Sequence, residues 1–286
     1  MRWILPAVAI LATTAPAPTM GRDDDGDIRA AVNKALPLMQ RSAATFSEKR
    51  DCNSCHHNGL VALAVDLARE RGFQVDEGLA SDQWDILSDY VERPLSEKYL
   101  AEKRSGSGFP SGAFDAGVLA LVWAAGNGKP TAMTEVANEY LLATQREDGG
   151  WPDILNRPPL TAGEAAATAH AVYGLRQYPT GRRTKEVERS IARAREWLVK
   201  ADPPNTTDRG NQLLGLGWAK AAPEEIGVVV ATLLAEQRED GGWSQLPDRA
   251  GDSFATGLVL VAMHQAGGLP TDHPSYRRGV KFLLAT

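Results

Sequence analysis

Gln145-Arg146-Glu147-Asp148-Gly149-Gly150-Trp151 recurs letter for letter as Gln237-Arg238-Glu239-Asp240-Gly241-Gly242-Trp243. Chance does not supply such a recurrence in a chain of 286 residues. Its parts have mechanical meaning. Glutamine at a helix end can bond neighbouring backbone groups, paired glycines release the chain into a sharp turn, and tryptophan covers the junction with large apolar area. These are structural roles, so the heptapeptide reads as a repeated connection and not as a catalytic motif.

Working outward, the segments around these connections fall into two kinds. Phe114-Asp115-Ala116-Gly117-Val118-Leu119-Ala120-Leu121 and Phe254-Ala255-Thr256-Gly257-Leu258-Val259-Leu260-Val261 align without a gap, and Ala167-Thr168-Ala169-His170-Ala171-Val172 fits the same frame. His57-Asn58-Gly59-Leu60 begins a first copy, and Leu214-Gly215-Leu216-Gly217-Trp218 is a weaker one. The anchors Gly59, Gly117, Ala169, Gly215 and Gly257 are roughly 42 to 58 residues apart, the length of a repeated helix pair. Between them lie helices with a single apolar stripe. The clearest is Glu186 to Leu198, where Val187, Ile191, Ala194 and Leu198 share one face and charge covers the other. Trp84 to Val91, Met133 to Leu142 and Tyr276 to Leu284 read similarly. Helices apolar nearly all round, alternating with helices apolar on one side, describe two concentric rings. The expected fold is all-α, an open or closed α/α toroid of about five helix-pair repeats in one domain.

The two Q-x-x-x-G-x-W motifs, followed by helix starts such as Asp252-Ser253-Phe254-Ala255-Thr256-Gly257, resemble the repeats of squalene-hopene cyclases and the wider terpenoid cyclase and protein prenyltransferase superfamily. The likeness extends over most of the chain from about residue 50. It implies the toroid fold and is far less specific for an activity. Protonating cyclases of that superfamily carry D-x-D-D-T at the start of an inner helix. Here the similar segment keeps Asp252 and Thr256 but has Phe254 and Ala255 in place of the second and third aspartates. A protonating acid needs a carboxyl group that its neighbours hold protonated, and this segment offers none. Asp115 and Glu164 also begin inner helices, each read as standing alone. The resemblance therefore argues for the fold and against that chemistry, and no catalytic residue is assigned. An isoprenoid-like ligand or apolar small molecule in the toroid cavity is one expectation; a scaffold that docks a partner is another.

The strongest chemical signal lies elsewhere. Cys52-Asn53-Ser54-Cys55-His56 holds both cysteines of the chain. C-x-x-C-H is the attachment pattern of c-type haem: two thiols reach the vinyl groups from one short turn, and the adjacent imidazole can bind the iron. Cys52, Cys55 and His56 are the candidate cofactor-binding residues, with His56 as metal ligand. A plain disulfide with no cofactor, a zinc site using His56 or His57, and a thioredoxin-like redox pair are the competing readings. For a sixth iron ligand the candidates are His170, His264, His273, Met39, Met133 and Met263. His170 reads as a hydrogen-bonded core residue, and His264 and His273 as surface or cap residues. The function so expected is electron transfer or haem-dependent redox chemistry with a redox partner protein.

Composition and the N-terminus bound these readings. One early positive charge, a short apolar run through Leu11 and small residues after it read as a secretory signal peptide over residues 1–20. Export to the periplasm or beyond suits both a disulfide and haem attachment. Residues 21–50 are expected to hold a linker and the first outer helix, and 51–286 the single toroid domain. Asp23-Asp24-Asp25-Gly26-Asp27 contains a D-D-x-x-D pattern that reads as a solvated acidic run in the linker. The net charge of -5 and the lack of a basic patch interleaved with aromatics argue against nucleic acid. No stretch of the mature chain is long and apolar enough to span a membrane.

Overall fold

The computed structural model describes residues 22–49, 58–92, 109, 111–154, 163–179 and 183–286. The signal-peptide reading and the Cys52 to His56 pentapeptide lie outside the described residues. All regular structure within them is helical: α1 (Arg22–Lys49), α2 (Leu60–Glu70), α3 (Glu77–Glu92), α4 (Ala113–Ala125), α5 (Ala132–Thr144), α6 (Glu164–Gln177), α7 (Thr184–Lys200), α8 (Thr206–Trp218), α9 (Pro223–Ala235), α10 (Ser253–Gln265) and α11 (Pro274–Ala285).

The helices form an α/α toroid. Helices α2, α4, α6, α8 and α10 pack in sequence as the inner row, and each packs against the outer helix that follows it. Each outer helix returns the chain antiparallel, so the inner helices run parallel. Composition separates the two rows. Every residue of α6 from Ala165 to Leu175 is buried, whereas α7 buries only Val187, Ser190, Ala194 and Leu198. Small residues let the inner backbones approach closely: Gly117 of α4 packs on the His170 backbone of α6, and Gly215 of α8 packs on Ala169. Among the described residues the end helices α2 and α10 are not packed together as the inner neighbours are. On the outside α1 touches both α2 and the final helix α11.

The repeated heptapeptide does the same work twice. Gln145 Nε2 donates to the carbonyls of Gly149 at 2.8 Å and Ser190 at 2.9 Å. Gln237 Nε2 donates to Gly241 and Ser275, both at 2.8 Å. Gly149 and Gly241 take φ of 100° and 88°, a left-handed conformation that a side chain would strain. Trp151 and Trp243 are fully buried, and each indole N–H donates to the preceding outer helix, at Leu141 and Leu233. Their backbone N–H groups reach forward to Thr168 Oγ1 and Thr256 Oγ1 on the next inner helix at 3.0 and 2.9 Å. One motif thus ties an outer helix, a turn and the following inner helix together.

Three expectations change. The acidic run is not linker, since α1 spans Arg22–Lys49 and includes it. The weaker repeat copy is out of register: Gly117 and Gly257 are each the fifth residue of their helix, but Gly215 is the tenth of α8. Gly210 holds the fifth place there and packs on Leu258 of α10. Asn205 sets that register, because its side chain caps α8 by accepting the Asp208 N–H. Finally, Gly59 does not lie opposite Gly117. It packs on Val122, near the end of α4, so the head of α2 is displaced from the end where Asp115 sits.

Candidate functional site

Two places can carry chemistry. The first is the N-terminal end of inner helices α4 to α10, where carboxylates gather. Asp115 accepts the Ser111 N–H at 2.7 Å. Glu164 takes a two-pronged bond from the Arg146 guanidinium at 2.6 and 2.7 Å, which ties the repeated heptapeptide turn to α6. Asp252 caps α10 by accepting the Ala255 N–H and also holds the Gln245 N–H. Asp115 and Glu164 therefore do not stand alone; each is engaged in holding its helix start.

Asp208 is the residue that sequence reasoning missed. It is buried in the first turn of α8 and accepts the N–H groups of Ala166 at 2.7 Å and Ala165 at 3.4 Å. One inner helix thus caps its neighbour, and Gly163 makes room, since any Cβ there would strike the Asp208 carboxylate. Burial pushes the Asp208 carboxyl up to about 6, against the two backbone bonds that favour its charge. Asp153 and Glu164 add smaller upward contributions. Asn205 three residues before it was the available signal, a capping residue that marks a helix start. Among the described residues no group of three or more His, Cys, Asp or Glu side chains could hold a metal ion.

The interior beyond these carboxylates is filled by aromatic rings. Phe114 of α4 lies 4.6 Å from the His170 ring, and Trp218 of α8 packs edge-on against His170 and Tyr173 of α6 at 5.8 and 4.9 Å. Leu63 of α2 packs against the same cluster as Trp218. His170 donates Nδ1–H to the Ala166 carbonyl at 2.9 Å, and burial pushes its pKa down to about 4, so it is neutral. It is the hydrogen-bonded core histidine the sequence suggested.

The second place is the head of α2, which directly follows the pentapeptide. The eight residues 50–57 that contain Cys52, Cys55 and His56 join Lys49 to Asn58, and Asn58 Nδ2 donates to Ser47 Oγ at 2.8 Å. The described residues on either side of that segment are thereby joined. From there α2 presents Leu60, Ala64 and Leu67 away from its buried face. Among the other ligand candidates, Met133 and Met263 are fully buried in apolar clusters and are thereby spent as core. His273 caps α11, accepting the Ser275 N–H at Nδ1, as a cap residue should.

The all-helical double row among the described residues is an α/α toroid, consistent with the fold of terpene cyclase-related proteins. The chain is 30% identical over 149 residues to a drimenyl diphosphate synthase from Streptantibioticus cattleyicolor, an alignment covering 47% of this chain and 27% of that protein. The chain thus spans about a quarter of that relative's length. No protein-family profile matches the chain. No helix of the described residues is long and apolar enough to cross a membrane.

Proposed function

We propose that this is an exported α/α-toroid protein that carries haem c covalently on Cys52 and Cys55, with His56 as axial ligand, and that acts in electron transfer. The C-x-x-C-H motif carries the reading. What supports it is the setting of the motif in the chain, directly ahead of an inner helix, between Ser47 and Asn58, which bond to each other, and followed by a half-exposed apolar stripe on α2. The donor set fits: two thiols for thioether links and one imidazole for the iron, followed in the chain by an apolar helix. Bound there, the group would supply a one-electron couple that a partner protein could use. The toroid's part is to hold the segment at its two ends and offer an apolar surface.

The test is the intact mass of protein made in a host with haem-maturation machinery. A mass increase of one haem, with a Soret band that survives denaturant, is the expected result. A mass two hydrogen atoms light and no haem would replace the reading with a disulfide-bonded scaffold.

A second reading is favoured by Asp208, a buried carboxyl near the end where cyclases of this fold act, and by the similarity to a diphosphate synthase. In it the chain binds an isoprenoid-like molecule. Phe114, His170, Tyr173 and Trp218 occupy the space between inner helices and weigh against it. Native mass spectrometry showing retained lipid would favour this reading over the first.

A further inference from the structure

The outer helix α9 is apolar on both of its faces. It buries Val229 and Leu233 against the toroid. On the opposite side Gly227, Val228, Ala231 and Ala235 are all exposed, and helix periodicity lines them up behind Glu224 in the first turn. Val228, at 68%, is the most exposed large apolar side chain among the described residues. A Cβ on Gly227 would meet nothing within 4 Å, so no neighbouring element approaches the face there. On the outer helix α7, by contrast, the exposed positions include Lys185, Glu188, Arg189 and Glu196. A contiguous apolar face rimmed by charge marks a place where another surface docks.

Two charges bracket that face. Glu224 and Arg238 lie seven positions before and after Ala231, and both are exposed. Glu225 pairs with Arg195 and Glu236 with Arg209, whereas neither Glu224 nor Arg238 makes an ion pair among the described residues. The two heptapeptides differ here. In the first copy Arg146 is held by Glu164. In the second the matching carboxylate is Asp252, which precedes Thr256 by four residues as Glu164 precedes Thr168. Asp252 accepts the Ala255 and Gln245 N–H groups instead, and Arg238 keeps its charge in water.

We infer that the outer face of α9 is a two-fold interface between two copies of this chain, with the paired helices antiparallel and centred on Ala231. A second copy is the occupant that the charges select. That pairing sets Glu224 opposite Arg238 of the second copy, and the two-fold axis repeats the ion pair at the other end. It also sets Gly227 opposite Ala235 of the second copy, where small side chains let the helix axes come close. Val228 is covered in the same step, which removes its apolar surface from water. One helix against its own copy buries less than a standard interface, so the dimer is weak and forms reversibly in the micromolar range. The interface is independent of the haem reading, since no residue of the pentapeptide takes part in it.

Sedimentation equilibrium of the full-length chain across the micromolar range tests this, with thermal melts to report folding. The wild type should fit a reversible equilibrium of monomer and dimer. Ala231→Glu puts a carboxylate at the centre of the interface and should give a folded monomer. Glu224→Arg and Arg238→Glu should each weaken the dimer about tenfold or more, because like charges then face each other at both ends. Combining the two should restore dimerisation, a result that neither misfolding nor an unrelated contact reproduces. Arg189→Glu, on the exposed face of α7, should change nothing. A wild type that stays monomeric, a dimer indifferent to Ala231→Glu, or a double charge reversal no stronger than the single ones overturns the interface.

Discussion

Asp208 on α8 accepts the backbone N–H of Ala166 on α6 at 2.7 Å, so a side chain of one inner helix completes the N-terminus of the inner helix before it. The first N–H groups of a helix have no partner inside it, and a buried helix start must find one elsewhere. The cost is a carboxylate taken out of water.

That cost sets a pH dependence. The carboxyl of Asp208 titrates near 6 in the folded chain, raised by burial from 3.8. Because the folded value lies above the unfolded one, the stabilisation is fully present below about 3.8 and is lost as pH rises through about 6. The change should be on the order of 2 kcal/mol. Urea midpoints between pH 4 and pH 7 should fall with pH in the wild type, and Asp208→Asn should flatten that slope. An unchanged slope would show that another group titrates.

Glycines at matching repeat positions should respond in opposite directions. A Cβ on Gly117 would collide with the His170 backbone carbonyl, whereas one on Gly257 meets nothing. Gly117→Ala should lower stability by more than ~3 kcal/mol or abolish folding, since backbone cannot yield as a side chain does. Gly257→Ala should raise it by ~0.5–1 kcal/mol, the gain of alanine over glycine in a helix interior. Thermal melts of the two variants provide the check.

The glutamines of the repeated heptapeptide should matter more than their polarity suggests. Gln145 donates to two carbonyls and accepts the Ser190 hydroxyl at 2.9 Å, spanning from one outer helix to the next. Gln145→Ala leaves these groups without partners at a half-buried junction and should cost ~1–3 kcal/mol. Gln145→Glu replaces a donor by a carboxylate facing two carbonyls and should cost at least as much. Denaturant unfolding of both variants reads this out, and equal stability of wild type and Gln145→Ala would show that water replaces the network freely.

The double row of helices was legible because its causes are local. Buried helices are apolar all round, outer helices carry one stripe, and the Gln-to-Trp turn repeats in identical letters. Helix caps are equally local in cause, since Asn205, Asp252 and His273 each bond within three residues of themselves, but of these only His273 was read as a surface or cap residue. The carboxylates were visible as residues but not as partners. Glu164 looked isolated until folding brought Arg146 to it across 18 positions of sequence.

What the sequence by itself determined is the alternation of elements and the C-x-x-C-H motif, which depend on neighbours in the chain. Tertiary structure decided the rest. Asp208 finds Ala166 across 42 positions, and the spacing follows no helical or strand period. The head of α2 settles beside Val122 because Gly59 allows close approach there, which displaces it from the start of α4 where Asp115 sits. Those relationships depend on how far whole helices slide past one another before their small residues meet. Sliding distance is a property of the packed surfaces, and no window of sequence contains both of them.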